Sequence, residues 1–179
     1  MILSKGVNHR SLEFNVGRGD SPGIESSKSV LKVTQMNQQD VENFVSSLAS
    51  VQRSEAYGYQ FFFYSDDHRL PFLTIANSDN DYDKVSNLNR EGIFRVNMGV
   101  HKATFADLFP ENPGGDSTGV DFTVLNTFLP HPDYAKQHFI CILNPSGDKE
   151  EQFKALVREA HDVAKQRYER KNRSGDSSE

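Results

Sequence analysis

Apolar residues recur at helical spacing in two stretches of the chain and at strand spacing in four. Val41, Phe44, Val45, Leu48 and Val51 line one side of a helix. Asn37 stands ahead of them as an N-cap with Asp40 three positions on, which marks a capped helix start. Met36 and Val41 flank that cap in the positions of a hydrophobic staple. A second stripe is made by Phe153, Leu156, Val157, Ala160, Val163 and Ala164. Ser146 is placed to cap this helix, and Asp148, Glu150 and Glu151 fall in its first turn. Lys165, Arg167, Arg170 and Lys171 crowd its end, so acids lead and bases follow, as the helix macrodipole favours.

The strand patterns lie between these helices. Residues 59–64 read YQFFFY, aromatic at both parities, which predicts a strand covered on both faces. Residues 66–69 are turn-like and 70–76 read as the returning strand of a hairpin, with Pro71 at its start or on an edge. In 93–98, Phe94, Val96 and Met98 point to one face while Ile93, Arg95 and Asn97 point to the other. Residues 139–143, FICIL, predict a central strand. Thr104 and Asp107 mark the start of a short helix carrying Phe105, Leu108 and Phe109, and 123–129 reads as another. Residues 77–89 and 110–119 are loops. Strands in runs, without β–α–β alternation, predict an α+β fold. The expectation is a single domain over 34–171, an antiparallel sheet covered by the N-terminal helix and the long C-terminal helix. Residues 1–33 and 172–179 are polar and aperiodic, and both are expected to be disordered.

Composition narrows the function classes. A formal charge of −5 argues against nucleic acid as a partner, since phosphate neutralisation needs basic surface. The basic end of the last helix is explained by its dipole. Cys141 is the only cysteine, so no internal disulfide is available. The chain has no apolar run of membrane-spanning length and no signal-like start, so a cytoplasmic location is expected, with the nucleus left open and no membrane partner.

Several motifs in order resemble a known family. They are Phe61-Phe62-Phe63-Tyr64, then Arg69-Leu70-Pro71-Phe72, then Asp81-Tyr82-Asp83, and Ser86 and Arg90 beyond. Gly92, Phe94, Arg95, Asn97 and Gly99 follow, and then His131-Pro132, Tyr134-Ala135, Gln137-His138 and Leu143-Asn144-Pro145-Ser146. Together they are similar to the largely bacterial domain of unknown function 6194, over roughly residues 37–170. The element order is also similar, more distantly, to MmcQ/YjbR proteins and their CyaY-like fold. The resemblance implies a fold and brings no chemistry or cofactor with it.

The residues themselves suggest limited chemistry. Asp79, Asp81 and Asp83 have the spacing of half a calcium loop, but Lys84 stands where glycine is required and Arg90 where glutamate is, so a capped acidic loop is expected. His101, His131 and His138 match no zinc spacing. His131 is expected to cap a turn before Pro132, and His138 to hydrogen-bond at a strand start. Cys141, within FICIL and on the opposite parity from His138, reads as a buried hydrophobe. No metal and no cofactor are expected. Arg95 and Asn97 share a strand face and are either solvent-exposed or turned onto a concave surface. In the second case they meet Arg69, Asp83, Arg90 and His138 in a pocket for a small anionic molecule, gated by 110–119. The leading function is therefore a binding or interaction module. An enzyme acting on a small anionic metabolite and a nucleic-acid-associated protein are the alternatives. The sequence does not specify an oligomeric state.

Overall fold

The computed structural model describes residues 35–175, with side chains through residue 173. The segment 1–33, expected to be disordered, lies outside the described residues, as do the last four positions of the tail. The described chain runs α1 (Gln38–Ser46), β1 (Val51–Ala56), β2 (Tyr59–Tyr64), β3 (Leu73–Ala76), β4 (Arg95–Gly99), α2 (Lys102–Leu108), β5 (Leu129–Pro130), β6 (Phe139–Leu143) and α3 (Glu150–Gly175). All named strands join one antiparallel sheet in the order β1-β2-β3-β4-β6-β5. The expected α+β class, antiparallel sheet and two flanking helices are those observed.

Local chemistry explains the elements. The Asn37 side chain accepts from the Asp40 N–H at 2.9 Å, and the Asp40 carboxylate accepts from the Asn37 N–H at 3.0 Å, a reciprocal capping box. Met36, Val41 and Val45 enter the main core. Phe153, Leu156, Val157, Ala160 and Ala164 of α3 and Phe105 of α2 meet Phe62, Leu73, Ile75, Val96, Met98, Ile140 and Ile142 on the same sheet face. All three helices therefore pack on one side. His161, also on the buried stripe of α3, packs edge-on against Tyr64 and Phe72 and donates from Nε2 to Ala49 O at 2.7 Å.

Several expectations are corrected. Val51 opens β1 instead of closing α1. Residues 123–129 form no helix. Asp121 takes the amide and hydroxyl of Thr123, Asn126 adopts φ 51°, and Leu125 bridges Leu143. Helix α2 begins at Lys102, two residues before Thr104. Ser146 precedes a 3-10 turn, Gly147–Lys149, without a side-chain cap bond, and α3 starts after that turn. At its other end α3 continues to Gly175, past the expected limit at 171.

Candidate functional site: a polar layer beneath loops

The second face of the sheet carries Arg95 and Asn97. Strand pairing sets Phe61, Thr74, Asn97, Cys141 and Leu129 in one row across β2, β3, β4, β6 and β5. Tyr59, Ala76, Arg95 and Leu143 form the next row. Segments 77–92 and 110–134 supply the groups that meet this face. Leu88 packs on Ala76 and Leu143 beside Tyr59 and Ile93. Phe139 lies over Gly99, where an added Cβ would come within 3.0 Å of its ring.

Arg95 is wholly buried, 0% exposed, so of the two expected environments it takes the interior one. Its Nη1 donates to Ser86 Oγ at 2.7 Å and to Asp83 Oδ1 at 3.3 Å, and its Nη2 pairs with Asp83 Oδ2. Tyr59 Oη donates to the same carboxylate at 2.7 Å. Burial pushes the Asp83 carboxyl up, but the hydrogen bonds and charge of Arg95, helped by Tyr59, together hold it below the usual carboxylate range. Burial and the bond to Asp83 raise the Tyr59 phenol. Two nitrogens of the guanidinium are thus spent inside the protein, and its charge is balanced there.

Two atoms in this layer lack a protein partner. Arg95 Nε and Asn97 Oδ1 are buried and hydrogen-bond to no other protein group. Asn97 is 2% exposed, and its Nδ2 donates to Thr74 Oγ1 at 2.9 Å. Buried polar groups are nearly always satisfied, so a donor and an acceptor left open two residues apart on one strand face are informative.

His131 and Cys141 complete the layer. His131 Nδ1 accepts the amides of Asp133 and Tyr134 at 3.0 and 3.1 Å, which is the turn cap expected before Pro132 and leaves the proton on Nε2. Burial, then the charge of Arg95, pulls the imidazole down to about 3 against the opposing pull of Asp83. Burial pushes the Cys141 thiol up to about 12, so it is an inert buried group.

The remaining candidates lie elsewhere. Arg69 bonds Asp67 at 2.7 Å, in the turn between β2 and β3. Arg90 binds the carbonyls of Asn87, Ser86 and Thr123, so it ties the two loop segments together from outside the layer. His138 sits at φ 62° with its ring edge-on to Phe105, on the helix-covered face opposite Arg95. Of the six expected residues, Asp83, Arg95 and Asn97 share the layer. Tyr59, Thr74 and Ser86 belong to it and were missed. Tyr59 shares a row with Arg95, which becomes visible only once the strand register is known, and Ser86, though part of the family motif, has no local signal that ties it to Arg95.

The acidic loop is a set of caps. Asp79 accepts the Leu88 amide at 2.8 Å, and Asp83 is committed to Arg95. Among the described residues no group of three or more His, Cys, Asp or Glu side chains is arranged to hold a metal ion. Loop 110–119 is seated by Gly115, at φ 70°, against the Ala135 backbone, and by Ser117 Oγ donating to His131 O at 3.0 Å. It borders an open cleft of about 590 Å³ lined by 114–118, Pro132, Asp133, Ala135 and Lys136. Arg95 and Asn97 do not line that cleft.

No curated protein matches the chain. Two solved structures are similar in fold outline. A Pseudomonas syringae protein shares 12% identity with a TM-score of 0.49, covering 72% of this chain and 99% of its own. A Deinococcus radiodurans protein with a domain of unknown function 419 shares 10% identity with a TM-score of 0.46, covering 71% of this chain and 77% of its own. The likeness to MmcQ/YjbR proteins remains a reading of element order. The motifs along the sheet and its loops find their counterpart in a family model that matches residues 36–173, and the chain belongs to that family, the family of unknown function DUF6194.

Proposed function

We propose that this domain is a small-ligand binding module whose site is the loop-covered sheet face around Arg95 and Asn97. The observation that supports it is the pair of buried, unpartnered polar atoms, Arg95 Nε and Asn97 Oδ1. A layer serving packing alone would carry apolar side chains here, because an unmet buried polar group costs roughly 1–3 kcal/mol. The opposite face carries a contiguous apolar core, with a buried unpartnered atom of its own at Gln60 Oε1, beside the Gln60–Glu42 hydrogen bond to α1. Binding sites favour loops held on a rigid scaffold, and a few convergent polar groups within apolar walls are how small-molecule sites fix orientation. Entry requires local opening of 77–92 or 110–134. Both lack regular structure over most of their length, and such segments open at lower cost than a central strand.

A thermal-shift panel of small hydroxylated, carboxamide-bearing and carboxylate metabolites tests the reading. Members that bind raise the unfolding midpoint of the wild type and fail to raise that of Asn97→Leu. A panel that leaves the wild type unmoved, or shifts both proteins equally, contradicts it.

A further inference from the structure

The two unpartnered atoms differ in kind. Arg95 Nε carries a hydrogen, whereas Asn97 Oδ1 offers only lone pairs. We infer that together they select a neutral ligand group that accepts and donates at the same or adjacent atoms, a hydroxyl or a primary carboxamide, over a carboxylate. This inference rests on the binding reading above and names the ligand class for that site.

Three features of the layer carry it. Asp83 engages both terminal nitrogens of Arg95, so Nε is the one guanidinium nitrogen without a protein partner, and the charge is met by Asp83. The Asn97 amide turns its Nδ2 to Thr74, which leaves its Oδ1 as a buried acceptor without a protein partner. A carboxylate there would set lone pairs against lone pairs with the Asp83 carboxylate close by. Finally, His131 keeps its Nδ1 for two backbone amides and stays uncharged at neutral pH, so Arg95, Asp83 and His131 together bring no net positive charge to an anion. The anionic ligand expected from the arginine alone is therefore replaced by a neutral one.

Nitrogen-15 spectra of the full chain test this directly, because the Arg95 Nε–H and the Asn97 side-chain amide each give their own signal. Acetamide and acetate are titrated separately at matched ionic strength. The expected result is a saturable shift of both signals with acetamide and an affinity for acetate at least about tenfold weaker, since a site built on paired polar atoms rejects a ligand that leaves one unmet. In Asn97→Leu the acetamide response of Arg95 disappears. Acetate moving the Arg95 signal while acetamide does not would overturn the ligand class and leave the binding reading standing. That pattern would also show that Asn97 turns its Nδ2 to the site. An acetamide response that survives in Asn97→Leu overturns the paired role of Asn97. If neither probe moves either signal, the inference and the binding reading fall together. The contrast between the probes is read in the wild type and does not depend on the variant folding.

Discussion

At the scale of single residues, a guanidinium with no exposed surface is tolerable only where its charge is met. Asp83 meets it, and Ser86 and Tyr59 complete the cage. Asp83→Asn should therefore cost on the order of 3 kcal/mol in urea unfolding, because it leaves a buried cation unpaired. Asp83→Asn with Arg95→Met should recover most of that loss, because replacing a whole buried pair by apolar groups is close to neutral. A double variant no more stable than the single one would show that the cage does more than balance charge. His131 gives a pH signature. Its folded-state value of about 3 lies below the ordinary 6.5, so below pH 6.5 the unfolded chain takes up a proton that the folded chain refuses. Stability is then lost as pH falls from 6.5 towards 3, at up to about 1.4 kcal/mol per unit. His131→Asn keeps an acceptor for the Asp133 and Tyr134 amides but does not titrate. Between pH 7 and 5 it should lose less stability than the wild type, and equal slopes would contradict this origin.

At the scale of elements, two contacts hold the pieces in place. Asp67, almost fully buried, joins Arg69 at 2.7 Å and Arg167 of α3 at 3.5 Å, while Arg167 also donates to Leu70 O at 2.7 Å. They fasten the turn between β2 and β3 to the last helix. The hydrogen bond from Arg69 is the chief reason the Asp67 carboxyl lies at about 2 instead of 3.8. That depression stabilises the fold above pH 3.8 and is lost as pH falls through about 2. Asp67→Asn should cost roughly 1–2 kcal/mol at pH 7, discounted for the exposure of Arg69, and under about 0.5 kcal/mol at pH 2. Melting curves at the two pH values check it. The second contact is Gly115. A Cβ there would stand 2.7 Å from the Ala135 carbonyl carbon, at φ 70°. Gly115→Ala should lower stability by more than about 1 kcal/mol and raise amide exchange across 110–119. Unchanged exchange would mean the loop is seated by other contacts.

The same scale shows what could be read from the chain and what could not. The capping box of α1 and the apolar stripe of α3 were legible because both rest on residues close in sequence. β1 was missed because VQRSEA is an exposed edge strand with no apolar alternation, so Val51 looked like another turn of α1. Residues 123–129 looked helical because their apolar residues carry no strand period; Val124 and Leu125 are exposed, and of this segment only Leu129 joins a named strand.

For the whole molecule, the order of helical and strand patterns was enough to predict an antiparallel sheet with helices on one face. The second face was harder. Its parity was visible, since Arg95 and Asn97 alternate with Phe94, Val96 and Met98. Which residues meet it depends on how 77–92 and 110–134 fold back, and no local signal encodes that. Asp83 does meet Arg95 there. Arg69, Arg90 and His138 do not, because Arg69 pairs with Asp67, Arg90 binds loop carbonyls and His138 lies on the helix side. The result is a sheet that builds an apolar core on one face and a polar layer with two open hydrogen-bonding atoms on the other.

The most direct test of that account is electron density at those two atoms in crystals of the full chain grown with acetamide. The account predicts density for acetamide, and not for a lone water, within about 3 Å of both Arg95 Nε and Asn97 Oδ1. Both atoms bonded to protein groups, with no density between them, would contradict it.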